Sequence, residues 1–263
     1  MINKIDIDAL AAEFETYDFI KDDPVQFCHN YKDKNDVEIA GFIASLFAYG
    51  NRKIFIKKLY DLFDIMENEP LNFVRNGDFK HLKDFNYRFI KDYDITEILS
   101  VMRILYEKDG GLEELFRYGY NQGREKIFQT VVDYFYSHVK HSAGQGFYHA
   151  IPNPKNGGAM KRMCMYLRWM VRKGPVDLDL WHFMQPCELL IPLDVHVARI
   201  SRKMGLLTGK TNNFKAVLEL TENLKKFDAK DPIKYDFAMF GYGVNQNKLT
   251  ALNNDTNILS SKR

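Results

Sequence analysis

Two residues far apart in the chain, Lys161 and Asp194, hold most of the chemistry the sequence offers. Lys161 stands in IPNPKNGGAMKRMCMYLRWMVRK, where a turn rich in proline and glycine feeds a run of helical spacing over residues 159–172. A neutral lysine amine is a nucleophile toward a sugar C1′ or a carbonyl-like carbon, and it forms a Schiff base there. Asp194 stands in IPLDVHVARISRKM, with Pro192 stiffening the approach and Ile191 and Leu193 making it apolar. An aspartate at that point caps the helix expected over 194–204, and Gly205 is placed to end it. A capping carboxylate held in a cleft also stabilises positive charge on a sugar as a base departs, and it can shuttle protons. Spacing alone leaves each residue its plainer role, a phosphate contact for the lysine and a cap for the aspartate.

Charge is concentrated around the lysine. Residues 134–176 contain no Asp or Glu, yet they hold Lys140, Lys155, Lys161, Arg162, Arg168, Arg172 and Lys173, in a chain whose net charge is only +2. Free backbone N–H groups at a helix start bind anions with the help of the helix dipole, and nearby cations add to that. The turn residues Asn153, Lys155, Asn156, Gly157 and Gly158, with Arg162, are therefore expected at a phosphate backbone. His196 and Arg199, on the helix that Asp194 opens, are candidate contacts of the same kind. Asp-x-His without a third ligand does not make a metal site, and none is expected. Cys28, Cys164 and Cys187 are scattered and form no Cys-x-x-Cys pair, which fits a reducing compartment and supports no zinc knuckle or iron–sulfur cluster.

The elements that must position these residues are helical almost throughout, so the fold class is all-α. Residues 36–49, with Asp36 as N-cap and Ile39, Phe42, Ile43, Leu46 and Phe47, are apolar nearly all round and predict a central helix. Further helices are expected over 52–67, from Asp94 through Leu105, over 112–118, over 123–140, over 213–227, and from Asp231-Pro232 through Phe240. The aromatic stretch 78–93 shows no alternating strand, 141–158 reads as a loop, 177–192 as a connection with one turn near 180–184, and 245–263 as a polar tail. Tyr166, Trp169 and Met170 are read as core packing and Trp181 as an apolar plug. A length of 263 residues with 46% hydrophobic and 27% charged content excludes disorder as the default. There is no signal-peptide pattern and no run of about 18 apolar residues, so a cytoplasmic location is expected.

The order Gly158-x-x-Lys161, basic helix, Pro192-x-Asp194-x-His196-x-x-Arg199, then Gly205-Leu206 resembles the helix-hairpin-helix DNA glycosylase superfamily. The resemblance is specific over about 151–206 and weaker elsewhere. It implies two helical lobes flanking a cleft, here a middle lobe over 50–140 and a hairpin-containing lobe from 1–49 with 141–244, in a single unit. It further implies a base-excision enzyme that flips a damaged base, an oxidised one for instance, out of the duplex. Lys161 would then be the nucleophile, with AP (β-)lyase activity, and Asp194 the catalytic carboxylate. The hairpin over 152–158 would grip phosphates and can hold a monovalent cation through backbone carbonyls; no other cofactor is implied. Asn51 and Arg52, just past the apolar helix, could enter the gap left by the base. The implied partner is duplex DNA with a damaged base or an abasic site, met by a monomer away from membranes. Two departures stand out: IPNPKNGGAMK lacks the compact Leu-Pro-Gly-x-Gly form, and 173–189 reads as an insertion between lysine and aspartate. Two alternatives stay open, a non-catalytic nucleic-acid-binding protein of the same type and an all-α interaction scaffold.

Overall fold

Apolar residues repeating at three and four positions become helix after helix in the computed structural model, which describes residues 4–140 and 143–243; the polar stretch 245–263 lies outside them. The helices are α1 (Lys4–Phe14), α2 (Tyr17–Ile20), α3 (Gln26–His29), α4 (Lys34–Phe47), α5 (Arg52–Ile65) and α6 (Pro70–Asn76). They continue with α7 (Asp92–Lys108), α8 (Leu112–Gln122), α9 (Ile127–His138), α10 (Gln145–Ala150), α11 (Lys161–Val171), α12 (Val195–Lys203) and α13 (Phe214–Lys225). A last helix, α14, covers 235–243 of the described residues. The all-α reading holds, with one small exception: β1 (Asn86–Tyr87) and β2 (Ile90–Lys91) pair antiparallel inside the aromatic stretch. Two residues per strand are too few for alternation to register in sequence.

α4 is the central helix, and residues 37–47 are all buried. Its cap is Asp33, not Asp36: Asp33 Oδ1 accepts from Asn35 N at 2.9 Å and Asp36 N at 3.4 Å. Asp36 instead accepts Leu71 N at 2.8 Å and ties α4 to the start of α6. Within the apolar run sits Glu38, whose two oxygens accept Trp181 Nε1 and Tyr106 OH, each at 2.9 Å. A buried carboxylate needs such partners to offset its lost hydration, and Trp181 is thereby fixed in the core. The buried side chains form one continuous cluster that takes in residues of both 50–140 and the remainder of the chain.

Two segments differ from their sequence reading in ways that shape the site. The stretch 141–158, expected as loop, contains the short helix α10 and a 3-10 turn at Pro154–Asn156. Asp94, expected to cap α7, sits at its third position and accepts Lys91 N at 3.0 Å and Gly144 N at 2.8 Å, binding α10 to α7. Residues 173–189 fold back over the end of α11. Leu178 N donates to Trp169 O at 2.8 Å, Asp179 N to Arg172 O at 3.0 Å, and Leu180 N and Trp181 N to Met170 O at 2.7 and 2.8 Å. These bonds satisfy carbonyls that a helix end leaves open. No helical turn forms at 180–184; a 3-10 turn appears later, at Pro186–Glu188. The extra chain is thus stacked on the helix end.

Candidate functional site

The turn before α11 is built by its own residues. Asn153 Oδ1 accepts Lys155 N at 3.0 Å and opens the 3-10 turn, which Gly157 reverses at φ +73°. Only glycine adopts that conformation freely. Gly157 O then accepts Phe214 N at 2.9 Å, and Gly158 pairs with Asn213, so the turn is pinned to the start of α13. Lys155, Asn156, Gly157 and Gly158 are exposed, and Asn153 is half-buried. A Cβ on Gly158 would meet nothing within 4 Å, so the turn faces open space. The oxygens of Asn153, Pro154 and Gly157 already accept bonds from Asn156, Gly157 and Phe214. At those three positions only a second lone pair is left for a monovalent cation.

Lys161 is the first residue of α11 and is half-buried. It lines a cavity of about 280 Å³ with Ala48, Tyr49, His149, Pro152 and Met160 among its walls, at the small end of ligand pockets. No carboxylate lies within ion-pair distance of its amine among the described residues.

Asp194 caps α12 as expected, and Gly205 closes that helix at φ +74° with Leu206 N donating to Ser201 O at 2.9 Å. Both cap bonds, from His196 N and Val197 N at 2.8 Å, fall on Oδ1. Oδ2 takes no part in the cap.

A third acid links the pair. Asp236, on α14, is 7% exposed and bonds Arg168. Burial pushes its carboxyl up to about 7; Arg168 and Lys161 pull it down, and Asp194 and Asp177 push it further up. Lys161 and Asp194 thus act on one buried carboxyl, while Asp194 is not among the residues that line the Lys161 cavity. Asp23 is held in the same field: burial raises it, while Arg52, Arg168 and Lys161 draw it down. Sequence reasoning passed over Asp236; the available signal was an acid inside the apolar run Tyr235–Phe240.

The basic helix is the principal correction. Arg168 and Arg172 do not face solvent; each is 3% exposed. Arg168 pairs with Asp177 at 3.2 Å and with Asp236. Arg172 takes both oxygens of Asp231 at 2.9 Å, Asp177 at 2.9 Å, and Glu15. All these acids lie outside the acid-free window 134–176, so charge that looked unopposed along the chain is neutralised in space. Guanidinium forks suit such shared buried carboxylates. Arg162, expected at phosphate, donates to Leu46 O at 3.0 Å and to His149 O. Burial lowers it to about 10.

The remaining candidates are mostly given structural work. Asn51 caps α5, accepting Ile54 N at 3.3 Å, and remains exposed. Arg52 lies 4.9 Å from the Phe240 ring centre. Arg199 donates to Gly243 O at 2.9 Å. His196 sits edge-on to Phe240 at 6.2 Å. These contacts lock α5, α12 and α14 together around the Asp194 cap. Among the described residues no cluster of His, Cys, Asp or Glu is arranged to hold a metal ion, and no helix is long and apolar enough to cross a membrane.

A family model described as "Protein of unknown function (DUF2400)" matches residues 23–245. No curated protein and no solved structure matches the chain.

Proposed function

The chain belongs to the DUF2400 family, and we propose that it is a DNA base-excision repair enzyme, an N-glycosylase with AP (β-)lyase activity on duplex DNA that carries a damaged base or an abasic site. The observation that supports this most is the Lys161 amine: half-buried, unpaired by any described carboxylate, opening on a cavity beside an exposed turn, and acting on the same buried carboxyl as Asp194. In this reading the fold is of the helix-hairpin-helix glycosylase type. The exposed turn at 153–158 and the free N–H groups at the start of α11 take the phosphates of the damaged strand.

The chemistry follows from the two side chains. Lys161 Nζ attacks C1′ with its lone pair; the glycosidic C–N bond breaks, its electron pair leaves with the base, and the base takes up a proton as Nζ gives one up. Asp194 Oδ2, left outside the cap, stabilises positive charge on the sugar as that bond breaks. The sugar then opens to a Schiff base, and loss of a C2′ proton ejects the 3′ phosphate. Asp236 sets the charge balance behind the pair.

The test is borohydride trapping on a panel of duplexes, each with one lesion or an abasic site. The expected result is a covalent protein–DNA band with the native chain and none with Lys161→Gln, while DNA binding persists in both. Salt-sensitive binding without a band from any duplex would favour the non-catalytic binder, and absence of both band and binding would remove both readings.

A further inference from the structure

The two-residue tip between β1 and β2, Arg88-Phe89, has features that its place in the fold does not require. Only Arg88 of the two has positive φ, at +53°. That pattern is the one in which a tight hairpin turn ordinarily uses glycine at its first central position. Arginine there is strained, and strain of this kind collects at functional positions. Phe89 is 55% exposed, a large aromatic side chain at the outermost point of a hairpin. Arg88 is also exposed and has no ion pair among the described residues. Its guanidinium lies 5.7 Å from the Tyr49 ring centre and 5.9 Å from that of Phe89.

The tip stands at the edge of the Lys161 cavity. Tyr49 and His149 line that cavity. Phe89 lies 4.9 Å from His149 and nearly parallel to Tyr49, at 11° and 6.5 Å between ring centres. Mutual bonds between Tyr49 and Tyr87 fasten the hairpin there: Tyr49 OH donates to Tyr87 O at 3.2 Å, and Tyr87 OH donates back to Tyr49 O. His149 Nδ1 is buried without a hydrogen-bond partner. Burial first, then Arg162 and Arg88, hold this imidazole below its usual range, so it is neutral at pH 7.

We infer that the Arg88-Phe89 tip is a base-stacking contact, in which Phe89 takes the face of a nucleobase unstacked at the lesion and Arg88 takes the phosphate beside it. The aromatic face suits a base of any identity, and the unpaired guanidinium supplies the charge a strand backbone needs. His149 Nδ1 offers the base edge a hydrogen bond that the protein does not fill. Asn51 and Arg52, the sequence's candidates for the gap left by a flipped base, are engaged in the α5 cap and on Phe240. The inference rests on the repair reading above, which supplies the lesion.

The experiment compares affinity for two duplexes, one intact and one with a reduced abasic-site analogue that lacks a base and cannot react. The native chain should prefer the abasic duplex. Phe89→Ala should lose roughly 5- to 150-fold of affinity for that duplex, hold its affinity for intact duplex, and melt at the native temperature. Phe89→Trp should retain the preference. Arg88→Gly should weaken abasic binding while its melting temperature stays level or rises, because glycine relieves the strained φ. Abasic affinity of Phe89→Ala within twofold of a native chain that does prefer the abasic duplex overturns the inference and leaves the repair reading standing. A native chain with no abasic preference and no borohydride adduct overturns both.

Discussion

Asp194 carries two roles on separable atoms, and one substitution divides them. Asparagine keeps an oxygen for His196 N and Val197 N, so Asp194→Asn should fold with little loss while losing the charge. On the proposed mechanism its base-release rate falls by about 10²- to 10⁴-fold, read in single-turnover assays on lesion duplex. Asp194→Ala gives up the cap as well and should cost about 1 kcal/mol of stability. Arg168 is a different kind of residue. Arg168→Met leaves Asp236 buried without its guanidinium and Asp177 with Arg172 alone, and the expected cost is about 3–5 kcal/mol in urea unfolding. Asp236 also fixes the sign of a pH effect. Its carboxyl is raised to about 7 in the folded chain, against about 3.9 when unfolded. Between those values the folded state holds more protons, so this group's contribution to stability falls as pH rises through the window. Urea unfolding at pH 5 and pH 7.5 should show Asp236→Asn flattening that dependence; an unchanged slope would contradict the assignment. The turn before Lys161 and the cap at Asp194 were legible because a glycine pair and a proline-led aspartate mark them locally. Asp236 and His149 were not, because their roles come from segments that meet only in space.

At the scale of elements, the turn before α11 offers two neighbouring glycines with opposite expectations. Gly157 needs its positive φ, so Gly157→Ala should destabilise the chain by roughly 1–3 kcal/mol. Gly158 faces open space, so Gly158→Ala should leave the melting temperature unchanged yet weaken DNA binding, since the added methyl group stands where the backbone of a strand is proposed to approach. Equal binding by native and Gly158→Ala chains would remove this turn from the interface. Long helices with clear apolar faces, such as α4, α5 and α13, could be read directly from their spacing. The α4 start was misplaced by one turn because Asp33 and Asp36 are both competent caps, and which one serves depends on whether Leu71 claims the other. The six-residue α10 and the two-residue strands are too short for periodicity to speak. Their stability comes from Asp94 and the Tyr49–Tyr87 bonds, which are tertiary.

Across the whole molecule, the distribution of charge changes what nucleic-acid binding should look like. Of the seven cations in the acid-free window, Arg162, Arg168 and Arg172 are spent on carbonyls and carboxylates, which leaves Lys140, Lys155, Lys161 and Lys173 at least partly in reach of a strand. With Arg88, four or five phosphate contacts predict a slope of log affinity against log salt near −4. A slope of about −7, the value expected if all seven and Arg88 served, would mean that the arginines of α11 leave their ion pairs to meet the strand. The all-α class and the central place of α4 follow from pattern and composition. The ion cluster of Arg168 and Arg172 could not be read that way, since its acids come from Glu15, Asp177, Asp231 and Asp236, at three separate places along the chain.

The most direct measurement locates the bond itself. The native chain is reacted with an abasic duplex in the presence of borohydride, digested, and the modified peptide identified by mass spectrometry. The account predicts that the added sugar-phosphate mass resides on the peptide containing Lys161 and on its side-chain nitrogen. A reproducible adduct on any other amine, with Lys161 unmodified, would contradict it.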